Sequence, residues 1–293
     1  MRLAILVVCC LSFAACGGSR GQNGATGPTP TTVSTRVLVT ATGTRPAEAL
    51  AGLLQSAASP ARVLVLSAGS DTASGPSAAA DLRAAGAIAT SIRLTRTMAQ
   101  SGQITSLLGG VHAVWLTGTN PRELGAALGG TPTAVALEQR ARGGLRLGGD
   151  GAGAGMLASV LITGGDVPAP RRRNTRQPAE EEVATGEGLG VLLGTLIYAP
   201  STTRHNPDAL VTALQEHPRY LGVQLDSGAA LRVMSDGVWE SVGTADVLIL
   251  VPETQADADT AAAIARRTRI VSPGSRFDPR TRTLLPLQPA VGR

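Results

Sequence analysis

Leu145-Arg146-Leu147-Gly148-Gly149-Asp150-Gly151-Ala152-Gly153-Ala154 decides the fold. A short apolar strand runs into glycines and alanines around one acid, and a helical run from Gly155 to Leu161 is expected to follow. That is the layout of a nucleophile elbow. Small residues let the backbone turn sharply from strand to helix, so that one side chain stands above the sheet beside backbone N–H groups able to hold an oxyanion. The helix N-terminus beyond favours negative charge.

Working outward, β-rich runs alternate with helical ones. Arg36–Thr40, Arg62–Leu66, Ala87–Leu94, Ala113–Leu116 and Leu145–Leu147 read as strands. Ala47–Ser56, Ser77–Ala85, Gln103–Leu108, Pro121–Leu128 and Thr133–Ala141 read as helices, with apolar residues at helical spacing. Apolar strands of about five residues separated by helices predict a parallel sheet buried on both faces. The expected architecture is therefore α/β, a three-layer sandwich with a mostly parallel, flavodoxin-like sheet and helices on both faces. Later, Gly190–Tyr198 and Gly222–Leu225 read as further strands. Leu231–Met234, Val238–Val242 and Val247–Val251 are closely spaced around the turn Ser235-Asp236-Gly237 and read as edge hairpins. The folded domain is expected over 35–275, with an irregular tail over 276–293. Val167–Gly186 reads as a polar loop.

The amino terminus bounds the setting. Arg2, then the apolar run Leu3–Phe13 and small residues, describe a secretory leader over 1–15 that is too short to span a bilayer. Phe13-Ala14-Ala15-Cys16 reads as a lipobox, so Cys16 is the expected lipidation site and the membrane an expected partner. Residues 16–34, rich in Gly, Pro and Thr, read as a flexible tether. Gly17 is not the Asp of an inner-membrane retention signal, which points to the cell envelope, at an outer membrane or the periplasmic face. Cys9, Cys10 and Cys16 are the three cysteines, so the domain itself holds no thiol nucleophile, disulfide or Cys-based metal site. Three scattered His carry no metal signature and no cofactor is expected. The net charge of +5 comes entirely from arginine, clustered only at Arg171-Arg172-Arg173, and nucleic acid is not an expected partner of an exported chain.

The elbow resembles that of the peptidase E/cyanophycinase family, which carries Gly-Thr-Ser-Ala-Gly-Ala there. Gly149, Ala152, Gly153 and Ala154 match; Asp150 stands for Thr and Gly151 for the nucleophilic Ser. Ile162-Thr163-Gly164-Gly165 and Gly188-Leu189-Gly190-Val191-Leu192 also match family stretches, and Thr117-Gly118-Thr119-Asn120-Pro121 sits where the family has Thr-Gly-Gly-Asp-Gln. Of the family's Asp-Gln-His-Phe segment and the Arg after it, only Arg204 survives, with Pro200 in place of the catalytic His. Asp166 follows the nucleophile position by 15 residues (166 minus 151), where the family has its acid. The likeness runs from about Arg36 to Val251 and implies a class I glutamine amidotransferase-like fold.

The chemistry follows from what is missing. Acyl transfer of this kind needs an oxygen nucleophile within hydrogen-bond reach of a base. Glycine has no side chain and proline accepts no proton, so the expectation is an inactive homologue with a retained cleft. The resemblance implies ligand contacts at Gly149, Ala152, Asn120 and Arg204, and an acidic or Asp-containing peptide as ligand, with Arg122 and Arg171–Arg173 as further cations. Two residues offer rescue chemistry. Asp150 is either a carboxylate nucleophile or the cap of the following helix, and His205 lies five residues past the lost base (205 minus 200). The other reading is an active serine-type hydrolase of aspartyl or β-aspartyl-arginine peptides with relocated groups. The sequence leaves the oligomeric state open, a dimer included.

Overall fold

The computed structural model describes residues 34–55, 59–165, 182–200, 208–252 and 267–286. All of them lie in one unit, Val33–Arg293. The leader, Cys16 and nearly all of the tether lie outside the described residues, as do Asp166, Arg171–Arg173, Arg204 and His205.

In chain order the elements are β1 (Thr35–Thr40), α1 (Ala47–Leu54), β2 (Arg62–Ala68), α2 (Ser74–Ala84), β3 (Ile88–Leu94), α3 (Arg96–Gln100), α4 (Gln103–Leu108), β4 (Ala113–Thr117), α5 (Pro121–Leu128), α6 (Pro132–Arg142), β5 (Arg146–Asp150) and α7 (Ala152–Met156). There follow β6 (Ala158–Ile162), β7 (Thr185–Glu187), β8 (Leu192–Tyr198), α8 (Ala209–Glu216), β9 (Leu221–Gln224), β10 (Ala230–Met234), β11 (Trp239–Ser241), β12 (Val247–Leu250), β13 (Thr268–Val271), β14 (Arg276–Asp278) and β15 (Thr283–Leu285).

Two sheets organise these elements. The larger has the order β15-β14-β11-β10-β1-β5-β4-β2-β3, and the smaller β13-β12-β9-β8-β6-β7. In the larger sheet β1, β5, β4, β2 and β3 are parallel neighbours, with Val39 beside Gly149 and Leu116 beside Gly149 on its other flank. β4 is buried at every position because helices cover both faces, and for that reason it reads as an unbroken apolar run rather than an alternating one. Leu38, Val63, Val65 and Trp115 face α1 and α2. The opposite residues, among them Val39, Leu64, Leu116 and Leu147, pack with α3–α7. The same core takes in the inner face of the smaller sheet through Ile197, Val223 and Ile249. Its outer face, with Leu196 and Tyr198, is closed by Leu210, Ala213 and Leu214 of α8. Ile197 and its neighbours thus point to opposite sides, as the two-residue strand period requires.

The α/β sandwich with helices on both faces is as expected, and four details differ. The larger sheet is mixed rather than mostly parallel: β1, β10, β11, β14 and β15 pair antiparallel in succession. Of the three segments expected as edge hairpins, β10 and β11 lie at that side, whereas β12 joins the smaller sheet between β9 and β13. The helix expected over Gly155–Leu161 stops at Met156, and Ala158–Ile162 is a strand between β8 and β7. A five-residue apolar run has no period that separates strand from helix, and the β-branched Val160 and Ile162 favour the strand. The tail expected from 276 instead begins with β14 and β15, two strands that extend the sheet. Phe277 is fully buried there, its ring 5.8 Å from that of Trp239. One aromatic in a stretch of Arg, Asp and Thr gives little sequence signal, and the order comes from pairing with β11.

Candidate functional site

The site is built at the carboxyl ends of β1 and β5. β5 ends at Asp150 and α7 starts at Ala152, so one residue makes the whole turn. Gly151 has φ 56° and ψ −122°, a positive φ that glycine adopts without steric cost. Its N–H donates to the Thr40 carbonyl at 3.3 Å. Gly149 lies directly beneath α7, where an added Cβ would stand 2.6 Å from the Gly153 carbonyl carbon. The small residues are there so that helix and strand can touch, and Gly149 is a packing residue under the elbow.

What stands above the turn differs from a working hydrolase. A Cβ at Gly151 would lie 2.7 Å from Thr42 Oγ1 and 2.8 Å from the Gly118 carbonyl oxygen. The Thr42 hydroxyl donates to the Ala199 carbonyl at 3.1 Å. It therefore occupies the space a side chain at 151 would enter. The Ala152 N–H, the donor an oxyanion hole would use at such a turn, donates to the Gly118 carbonyl at 2.9 Å. The cavity over the turn measures about 30 Å³ and is walled by Thr119, Pro121, Gly151, Ala152, Gly155, Tyr198 and Pro200 among others. That is room for about one water molecule.

The structure brings Gly151, Ala152 and Pro200 together on this wall. Asn120 stands beside it, but its side chain caps α5, accepting from the N–H groups of Arg122 at 3.0 Å and Glu123 at 3.4 Å. Arg122 donates through Nε to the Thr163 carbonyl. Among the described residues no histidine bonds to Thr42. His112 Nδ1 accepts from the Arg62 N–H, and His217 stacks on Tyr220 with ring centroids 5.4 Å apart. Ser159, expected on a helix, lies in β6, and its Oγ accepts from the Gly194 N–H. No cluster of His, Cys, Asp and Glu among the described residues is arranged to hold a metal ion.

Asp150 corrects another expectation. Its carboxylate makes no cap bond to α7. It points through the opposite face of the sheet, where Arg45 Nη1 donates to it at 2.7 Å, Trp115 Nε1 at 2.8 Å and the Gly43 N–H at 3.2 Å. Arg45 also holds Asp81 at 2.6 Å and the Ser77 hydroxyl at 2.6 Å. The Arg45 and Asp150 side chains are 4% and 3% exposed. Burial raises the Asp150 carboxyl above its ordinary value, opposed by the Arg45 guanidinium and the Trp115 and Gly43 donors. The strand's two-residue period explains the placement, because Asp150 shares a face with Gly148 and Trp115 rather than with the elbow. Thr42, Arg45 and Trp115 were not singled out in the sequence. The signal available was position: Thr42-Gly43-Thr44-Arg45 follows directly on β1, the parallel neighbour of β5.

A second turn braces the site. The Asp71 carboxylate accepts from the Ala73 and Ser74 N–H groups at 3.0 Å each, and Thr119 also bonds to it. Burial raises the Asp71 carboxyl, but the Ser74 and Ala73 donors outweigh it and hold it below the ordinary value. A depressed carboxylate contributes stability above its unfolded pKa of about 4 and loses it as pH falls through the folded value. Asp71→Asn is therefore expected to be less stable than the parent at pH 7 and to converge with it in strong acid, as read by urea unfolding across pH.

A mixed sheet with five parallel strands, a positive-φ elbow at the end of one of them and helices on both faces is an α/β sandwich. No protein-family model matches the chain. The crystal structure of a peptidase from an acI-B1 actinobacterium superposes with a TM-score of 0.60 over 84% of this chain and 97% of that one, at 18% identity. A cyanophycinase from Trichormus variabilis is 28% identical over 200 residues, 65% of this chain and 65% of its own. One from Synechococcus elongatus is 29% identical over 159 residues, 54% and 47% of the two chains. The chain thus matches just under two thirds of the first relative's length. In sequence the chain is similar to these cyanophycinases, and in fold to the actinobacterial peptidase.

Proposed function

We propose that this chain is a catalytically inactive homologue of the cyanophycinases, held on the cell envelope through an acylated Cys16, with the region over the elbow kept for recognition of an acidic or Asp-containing peptide. The observation that carries it is Gly151, where the elbow backbone persists with no side chain to react. Two further features support the reading. Pro200 stands on the same wall where the resemblance places the base, and the Ala152 N–H is engaged by Gly118. Loss of triad members costs about 10⁴ to 10⁶ in turnover. Incubating the purified protein with aspartyl and β-aspartyl-arginine peptides is expected to yield no product above the uncatalysed rate. Turnover matching that of an intact cyanophycinase under the same conditions would overturn it.

A second reading, an active hydrolase with relocated groups, draws on Thr42, whose hydroxyl stands where a nucleophile would. That hydroxyl gives its proton to the Ala199 carbonyl, which is no base at neutral pH. Thr42→Val separates the two: any turnover that disappears in this variant belongs to the second reading.

A further inference from the structure

The parallel strands of the larger sheet all begin at one end of the molecule, opposite the elbow. Arg36 stands at the start of β1, Arg62 at the start of β2 and Arg146 at the start of β5, while α6 ends there with Arg140 and Arg142. Among the acids at this end, Glu138 faces Arg142, Asp236 faces Arg276 at 3.7 Å and Asp278 faces Arg280 at 3.1 Å. Arg36, Arg62 and Arg140 instead donate to neutral carbonyls, those of Ala141, Gly110 and Leu108. A carbonyl orients a guanidinium without cancelling its charge, so the face keeps an excess of positive charge.

The same face exposes large apolar side chains. Leu193, at the start of β8, is 81% exposed, and Ile88, paired with Arg62 across β2 and β3, is 55% exposed. Leu107 in the last turn of α4 is 46% exposed, two residues before the loop that Arg62 holds. Leu193 overhangs a groove of about 250 Å³ between Arg36, Leu145 and Met234.

We propose that this end of the sheet docks on an anionic lipid surface, with Leu193, Ile88 and Leu107 entering the headgroup boundary and Arg36, Arg62 and Arg140 meeting phosphates. Protruding apolar tips among unneutralised arginines suit an interface that is apolar below and negative above. The chain also enters the fold here, since Ser34 precedes β1 and accepts a bond from Ser235 in the β10–β11 turn. Cys16 lies 18 residues before Ser34 (34 minus 16). An acylated Cys16 would therefore hold the chain to the bilayer from the same end of the fold at which Ser34 enters it. The biological setting rests on the envelope-anchored reading; the lipid affinity itself does not.

The test is sedimentation of the full chain carrying Cys16→Ser with vesicles of phosphatidylcholine, alone or mixed with phosphatidylglycerol. Any contribution of residues 1–15 is common to every variant. The protein is expected to prefer the anionic vesicles. Arg36→Gln alone should weaken that binding about fivefold, and combined with Arg62→Gln and Arg140→Gln about a hundredfold. Leu193→Ser, at a site too exposed to disturb folding, should weaken it about tenfold. Ile270→Ser, on the edge strand β13, should change nothing. Equal binding to both vesicle types, or an anionic preference that Arg36→Gln and Leu193→Ser leave unmoved, would overturn the docking face. So would binding to a soluble polyanion as tight as to vesicles and indifferent to Leu193→Ser, which would assign the arginines to a polymer instead. Intact-mass measurement of Cys16 in the native chain decides the anchoring reading separately.

Discussion

Asp150→Ala is expected to lower unfolding stability by about 3–5 kcal/mol, among the largest single-residue losses in the fold. The reason is the partner left behind. Arg45 is nearly fully buried, and without Asp150 its Nη1 loses its partner while Nε and Nη2 keep Asp81 and Ser77; the Trp115 indole N–H and the Gly43 N–H lose their acceptor. Removing one member of a buried pair costs up to that much because the charge left behind, here compensated only by the half-exposed Asp81, is short of a partner, and each orphaned neutral donor adds about 1–3 kcal/mol if water cannot reach it. Arg45→Met should be nearly as damaging, whereas Arg45→Met combined with Asp150→Leu should cost far less than the sum of the two changes. Urea unfolding of the four proteins in a double-mutant cycle measures this. Additive losses, or a loss under about 1 kcal/mol for Asp150→Ala, would show that the pair does not hold the β1 loop to the sheet.

The second large effect is expected where a repair would first be attempted. Gly151→Ser restores the missing hydroxyl on paper, but the new Cβ meets Thr42 Oγ1 at 2.7 Å and the Gly118 carbonyl at 2.8 Å, at φ 56°. The positive φ costs roughly 1–2 kcal/mol and the overpacking roughly 1–3 kcal/mol. Thermal unfolding should therefore show a clear drop in Tm. In a Thr42→Ala background the packing part should be relieved and the backbone part should remain. Neither protein is expected to hydrolyse aspartyl peptides, because Pro200 offers no base and the Ala152 N–H is engaged. Appearance of turnover in Gly151→Ser alone would mean that the machinery around the turn was intact.

Much of this was readable in the chain. The five parallel strands announce themselves as apolar runs, and α4 and α5 begin and end where spacing and Pro121 put them. The elbow was legible because a strand that runs straight into four glycines and two alanines around one acid suits a sharp, closely packed turn and little else. Three things were not legible, for physical reasons. Ala158–Ile162 is too short for its period to speak. β14 and β15 are strands only because β11 offers an unpaired edge, a property of the folded sheet rather than of Arg276–Leu285. Asp150 reaches Arg45 beside the neighbouring parallel strand over 105 positions of sequence, and Thr42 reaches Ala199, just past a strand of the other sheet, over 157, separations that no local pattern encodes. The small residues of the turn named the place correctly, while what crowds it came from the β1 loop.

Phe277 and Trp239 carry a practical consequence for handling the chain. A boundary drawn at 275, where composition turns polar, would strip the outer two ribbons from the sheet and leave the Trp239 indole facing water beside a row of open amide and carbonyl groups. Such a margin is a ready template for joining copies edge to edge into aggregates, so β14 and β15 act as a hem that keeps the fabric of the molecule from catching on its neighbours.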